Sequence, residues 1–436
     1  MRKKMMFAFV AAAFTALPSA SQTSRVITVS ELFSLVEDGS KALQAQKSGV
    51  DVAGHAVEEA KSRRLPDVDV SLSASYNGNV LMTDRNLSNA HGLSQPHLGN
   101  SFAVEARQAV YTGGALSAGI EIAELQRRKA ETGVEQSRNG QRFMALGQYL
   151  DLFKTDNGIK VYQSNIALTE RLIADIKAKH DQGMALKNDV TRYELQLEEL
   201  QLGLRRLKDS REIINYQLCN TLGLSSATVI VPDSDVVNHA ASGDTMEQWQ
   251  SKAAATSPEL RSSALDVQIA EQQLRMAKSD MRPKIEVFAT ENFSGPFVYD
   301  IPPIDKNFNI WAVGIGVRYS LSSLFKGNKA VRKARAAVIQ SRDSHAVSTE
   351  TLGNRMQEAY TLYRQAFADL RTRNKSVELA SQNYRVVNDR YLAQLALITD
   401  MVDASNVKLD AELQAVDARA NIVYAYYKMK YLAGEI

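Results

Sequence analysis

The stretch Trp311-Ala312-Val313-Gly314-Ile315-Gly316-Val317-Arg318-Tyr319-Ser320 changes character at every step. Trp311, Val313, Ile315, Val317 and Tyr319 make one face, and Ala312, Gly314, Gly316, Arg318 and Ser320 the other. A period of two belongs to a β-strand, whose successive side chains point to opposite sides. The apolar face is framed by Trp311 and Tyr319, as in a lipid-facing strand with rings at both interfaces. A half-buried strand of a soluble sheet alternates in the same way, so alternation alone leaves both readings open. Upstream, Val68, Val70, Leu72, Ala74 and Tyr76 alternate with Asp67, Asp69, Ser71, Ser73 and Ser75, and Ile285 and Val287 begin a matching strand. Four strands are expected, at about 67–79, 101–111, 284–295 and 308–321.

These strands sit in a duplicated chain. Pro66 answers Pro283 at an offset of 217, as do Thr28 and Thr245, Ser40 and Ser257, and the run Ala60-Lys61-Ser62 with Ala277-Lys278-Ser279. Later the offset is 211, where Tyr149 meets Tyr360, Asp189 meets Asp400 and Gly223 meets Gly434. A duplicated unit buries its apolar face against its copy. The chain therefore divides into a segment 1–20, repeat 1 over 21–224, a linker at 225–243 and repeat 2 over 244–436.

The first segment reads as a secretory signal. Arg2-Lys3-Lys4 precede an apolar run from Met5 to Leu17, with small residues at Ser19-Ala20 and an uncertain cut because of Pro18. That run is short for a membrane span, and every later apolar pattern is broken by charges. An exported chain without an apolar helix enters a membrane only as a closed β-barrel. Export and the framing aromatics favour the membrane reading of 311–320. Four strands do not close a membrane barrel, so several chains must share one.

Helices account for most of the remainder. One is expected from about 29 to 64, broken near Gly39, and its copy from about 245 to 281; each stops before a proline. Tyr363, Leu370, Val377, Tyr384 and Tyr391 recur every seven residues, and so do Leu152, Ile159, Ile166, Ile173 and His180 in the first repeat. Sustained heptads imply coiled-coil packing. Asn374, Ser381 and Asn388 at the companion positions imply a wet or register-setting face rather than a dry core. Long hairpins are expected over about 115–222 and 329–433. The fold class is thus mainly α with a small membrane β portion.

Composition excludes several functions. A net charge of +3 supplies no concentrated basic face for nucleic acid. His55, His91, His97, His239 and His345 lack metal-ligand spacing, no cofactor motif is present, and no catalytic spacing points to an enzyme. The single cysteine, Cys219, reads as packing. Asp189 and Asp400 follow Asn188 and Thr399, so each suits the positive end of a helix whatever else it does.

The tandem repeat, the strand pairs ahead of Tyr111-Thr112-Gly113-Gly114 and Phe325-Lys326-Gly327, and the paired long helices resemble the TolC family of outer membrane efflux proteins over nearly all of the chain after the signal. The resemblance implies a homotrimer in the bacterial outer membrane, with four strands per chain in a twelve-stranded barrel. It also implies a helical tunnel across the periplasm, opened at its tip when a periplasmic adaptor and an inner-membrane pump dock. By the same resemblance Asp400 and Asp403 form acidic rings at the narrowest point, with Tyr391 and Asp189 as partners in the closed state. Gly183, Met184, Ala185 and Leu186, together with Leu395, Ala396 and Leu397, resemble the adaptor-docking turns. Two family features are missing: the latch arginine, where Ala396 stands, and the second turn glycine, where Gln394 stands. A soluble periplasmic coiled-coil adaptor or scaffold without a pore is the alternative.

Overall fold

The computed structural model describes residues 24–239, 243–298, 303–393 and 395–436. The signal segment and Gln394 lie outside the described residues. In chain order, β1 (Ser24–Ile27), α1 (Val29–Gly39) and α2 (Lys41–Ser62) lead into β2 (Asp67–Tyr76), β3 (Val80–Met82), β4 (His91–Leu93) and β5 (Leu98–Tyr111). The first long hairpin is α3 (Ala115–Asp181) and α4 (Lys187–Leu222). After β6 (Val229–Pro232) and a 3-10 helix (Ser234–His239), α5 (Met246–Thr256) and α6 (Pro258–Ser279) repeat the opening helices. Then come β7 (Lys284–Gly295), β8 (Phe308–Arg318), and the second hairpin, α7 (Ser323–Leu392) and α8 (Ile398–Ala433).

The repeat is written in the helix caps. Thr28 accepts a hydrogen bond from the Glu31 amide (3.2 Å) and its counterpart Thr245 one from Gln248 (3.4 Å), each opening a helix. Ser40 breaks the first helix and caps the second, accepting from the Leu43 amide at 3.3 Å. The expected single helix over 245–281 is likewise two, because Ser257 is extended and Pro258 occupies the first position of α6. The far ends correspond as well. Gly223 closes α4 at φ +68°, and a Cβ there would lie 2.8 Å from the Cα of Gly39; Gly434 closes α8 at φ +77°, against Pro258. Only glycine adopts these turns without strain and admits that approach.

Four antiparallel strands form one sheet in the order β2-β5-β7-β8. β2 precedes the first pairing and β8 ends the last, so the sheet has two open edges. Register places Val70, Val104, Glu291 and Trp311 in line on one face, and Asp69, Glu105, Thr290 and Ala312 on the other. The first face is mainly apolar; Val70, Leu72, Val313 and Ile315 are all exposed on it. The opposite face carries Ser71, Ser73 and, Glu291 apart, the charged residues. Gly314 makes room there for Phe288, whose ring lies 2.8 Å from where a Cβ would stand. An irregularity between Ala109 and Tyr111 turns Tyr111 beside Ile285, onto the apolar face.

The strand wall continues as a helical wall in the same order. α2 leads into β2 and α3 leaves β5; α6 leads into β7 and α7 leaves β8; and α2 packs on α3, α3 on α6, and α6 on α7. Beyond it α3 pairs with α4, and α7 with α8. At about 1.5 Å per residue the 70 residues of α7 span about 105 Å. The main core lies where these helices meet α1 and α5, around Tyr149, Leu146, Trp249 and Met356. Cys219 is buried there, with its thiol pushed up by desolvation. α8 presents alanines inward (Ala411, Ala415, Ala418, Ala425), which lets it lie close to its neighbours.

Several expected bounds differ. The first strand stops at Tyr76 rather than near 79, and the polar loop beyond it carries the small β3–β4 hairpin. β8 stops at Arg318, just short of Tyr319, and α7 starts at Ser323. The expected linker at 225–243 contains β6, which pairs in parallel with β1. Strands of three or four residues show no periodicity, and the partners in that last pair are about 205 positions apart.

Candidate gate at the helical tip

The far ends of the two hairpins share a separate apolar cluster. Leu172, Ile173 and Ile176 of α3, Val190 and Tyr193 of α4, Tyr384 of α7, and Ile398 and Met401 of α8 are buried together, with Ala185, Tyr391 and Val402 partly buried against them. The heptad residues Tyr384, Tyr391 and Ile173 therefore point inward. The exposed His180 lies 3.4 Å from the Asp181 carboxylate.

Both return helices start in the same way. The caps are Leu186 and Leu397, not Asn188 and Thr399 as the spacing suggested, so Asp189 and Asp400 stand at the third helical position. Each carboxylate reaches back to the cap: Asp189 Oδ2 accepts from the Leu186 amide at 3.3 Å, and Asp400 Oδ2 from the Leu397 amide at 3.0 Å. Each thereby satisfies an amide the helix leaves unpaired and places negative charge at its positive end. Asp403 has no such duty. It sits three residues further along α8, on the same side as Asp400, and both are exposed.

Tyr391 is half-buried. Burial, with the Asp189 carboxylate nearby, pushes its hydroxyl up to about 12. The structure thus brings Tyr391 and Asp189 together and leaves Asp400 and Asp403 on open surface. Sequence reasoning overlooked Tyr193, one turn after Asp189 and 1% exposed. Its hydroxyl and that of Tyr384 are buried with no hydrogen-bond partner among the described residues. Burial pushes Tyr384 to about 12 and Tyr193 higher still. Gln196 donates to Asn406 at 2.7 Å across α4 and α8, and Lys179 donates to the Leu392 carbonyl at 3.3 Å. No sequence motif marks these contacts, since each joins residues about 210 positions apart.

The turns are apolar at their outer surface. Gly183 takes φ +73° and lets the Met184 amide reach back to the Lys179 carbonyl at 2.8 Å. In the second turn the Leu395 amide reaches the Arg390 carbonyl at 2.8 Å. Met184 and Leu186, like their counterparts Leu395 and Leu397, are exposed, whereas Ala185 and Ala396 are half-buried. At the other end, Tyr76 and Trp311 lie near one limit of the apolar sheet face, and Tyr111 and Tyr319 near the other, all exposed. Among the described residues no helix is long and apolar enough to cross a membrane. Nor do three or more His, Cys, Asp or Glu gather to hold a metal among them.

The outer membrane efflux protein family model matches residues 249–435. The fold is that of known outer-membrane channels. The outer membrane protein VceC of Vibrio cholerae superposes with a TM-score of 0.75 at 13% identity, over 93% of this chain and 96% of that one. The Campylobacter jejuni outer membrane channel CmeC gives 0.74 at 12% identity, over 93% and 85%. The open state of the Neisseria gonorrhoeae channel MtrE gives 0.71 at 12% identity, over 93% and 88%. No curated protein matches the chain in sequence. The family pattern is thus carried by the second repeat, and the fold of these channels by the chain as a whole.

Proposed function

We propose that this protein is the outer-membrane exit duct of a tripartite efflux or secretion assembly, a passive conduit that performs no chemistry. The observation that carries this reading is the sheet. It has an apolar exposed face, a polar opposite face and two unpaired edges, and it runs directly into helices about 100 Å long. Such edges demand partners, and in lipid every backbone group must find one. Three copies supply twelve strands and close the barrel around the polar face. The helices then enclose a periplasmic tunnel narrowing toward the tip cluster.

In this reading Asp400 and Asp403 face the constricted axis, three copies of each, where like charges repel and cations concentrate. Tyr391 and Asp189 hold the closed arrangement. Tyr193 and Tyr384 oppose it, since a hydroxyl buried without a partner costs about 1–3 kcal/mol and opening lets water reach it. The exposed Met184, Leu186, Leu395 and Leu397 receive the hairpin of a periplasmic adaptor, which couples the duct to an inner-membrane pump.

The test is reconstitution. A detergent-extracted trimer should give steady conductance in planar bilayers, blocked from the tip side by multivalent cations, and Asp400→Asn with Asp403→Asn should relieve the block. Unchanged block removes the gate assignment. A monomer or dimer released by osmotic shock alone refutes the duct and favours a soluble adaptor.

A further inference from the structure

The two open edges of the sheet are unlike in charge. On the polar face β2 carries Asp67 and Asp69 near the end that meets the helices, and β8 carries Arg318 at the same end. Asp69 stands directly opposite Glu105, a like-charge pair that disfavours the sheet unless a cation intervenes. Arg107 donates to Glu105, stands opposite Asp67 and also acts on Asp69 from the next strand, one cation shared among three acids. The Asp67 carboxylate makes no hydrogen bond or ion pair among the described residues, although Arg107 stands opposite it. Across the sheet the Arg318 side chain is 76% exposed, with Glu286 at 3.8 Å as its ion-pair partner. It borders a cavity of about 380 Å³ also lined by Arg282, Lys284, Lys326 and Asp280, where cations outnumber acids. Of the two edge strands, β2 carries only acids among its charged residues and β8 only a cation.

We propose that β2 of one protomer pairs with β8 of the next in the register that sets Asp69 opposite Arg318 of the partner subunit. An acid–base seam then recurs three times at the periplasmic rim of the barrel. This rests on the trimeric barrel proposed above and specifies how it closes.

Geometry selects the register along with charge. Within one chain Asp67, Arg107, Phe288 and Gly314 stand level. Pairing Asp69 with Arg318 puts Ser73 beside Gly314, six residues further along β2 than level pairing. The shift must be even to keep the apolar face outward. A shift the other way would bring up residue 61, which lies in α2 before Pro66. Three identical seams total about 18 residues over about twelve strands. With a rise of ~3.3 Å and a spacing of ~4.8 Å the strands then tilt by ~46°, close to the ~45° of membrane strands. A shift of eight gives ~54°, well beyond it. A shift of four gives ~35° but sets Tyr76 against Asn309. At six, Tyr76 meets Trp311, Leu72 meets Ile315 and Val70 meets Val317 on the lipid side, while Ser71 and Ser73 meet Gly316 and Gly314 inside.

The test uses the full-length protein in detergent. Asp69→Cys with Arg318→Cys is compared with Asp67→Cys or Ser71→Cys, each paired with Arg318→Cys. Directly opposed Cβ atoms lie about 4.5–5.5 Å apart and diagonal ones about 7–8 Å, so the Asp69 pair should form interprotomer disulfides at least about tenfold faster. Asp69→Arg and Arg318→Asp should each lower the trimer yield about two- to fivefold per seam, and the double exchange should restore it. Faster linking by the Asp67 or Ser71 pair overturns the register, and so does an exchange that rescues nothing. The native mass of the unmodified protein separates the two levels. A trimer in which no pair links defeats the seam alone, whereas the absence of any trimer defeats the duct as well.

Discussion

Tyr149 shows how a single side chain ties distant segments into the main core. Fully buried, it donates to the Ile27 carbonyl at 2.7 Å and accepts from the Asp233 amide at 2.7 Å, joining β1 to the segment after β6. Desolvation pushes its hydroxyl up to about 12. Tyr149→Phe keeps the ring and strands both backbone groups, so stability should fall by about 1–3 kcal/mol, read from the denaturant midpoint of the detergent-solubilised protein. No change would mean that water replaces both bonds. The duplication marked Tyr149 through its partner Tyr360, but its hydrogen bonds were not legible, because β1 and β6 have no pattern of their own. At the tip, Asp189 and Asp400 were legible as helix-start acids. The caps they serve lie two residues earlier than the flanking Asn188 and Thr399 suggested, because the turn backbone, not the capping chemistry of a side chain, decides where each helix begins.

At the level of elements, the strand at 311–320 was the most readable part of the chain, since a period of two survives whatever the sheet packs against. Register gives the two faces separate fates. Val313 lies mid-strand on the apolar face, and its neighbour Ala312 on the polar one. Val313→Arg should sharply reduce the amount reaching the outer-membrane fraction, since arginine on the lipid face near the midplane costs about 2–4 kcal/mol. Ala312→Arg, one residue away, should leave that amount nearly unchanged and lower only conductance. Equal loss from both variants would argue against a lipid-facing sheet. The helices were legible by heptad and by their prolines, but the break at Ser257 was not. Ser257-Pro258 reads as a helix start only once the extended backbone at Ser257 is known.

For the whole molecule, a tip that closes as proposed should respond to alkali through its tyrosines. The hydroxyls of Tyr391 and Tyr384, near 10 when free, are pushed up to about 12 by burial in the tip cluster. Because each phenol ionises more easily once water reaches it, closure is undisturbed below pH 10 and weakens as pH rises from 10 to 12. Conductance should therefore climb across that window, and Tyr391→Phe should remove part of the climb; a flat profile would place the latch elsewhere. Such a device needs both hairpins, for Tyr391 belongs to one repeat and Asp189 to the other. The amino-acid sequence by itself determined the duplication, the long helices and the alternating strands, because periodicity and caps are local properties of the backbone. Only the tertiary structure decided the shared order of strands and helices, the acidic and basic edges of the sheet, and the burial of Tyr193 beside Tyr384 and Tyr391. Those depend on which distant residues meet, and burial and register exist only once the two copies are packed together.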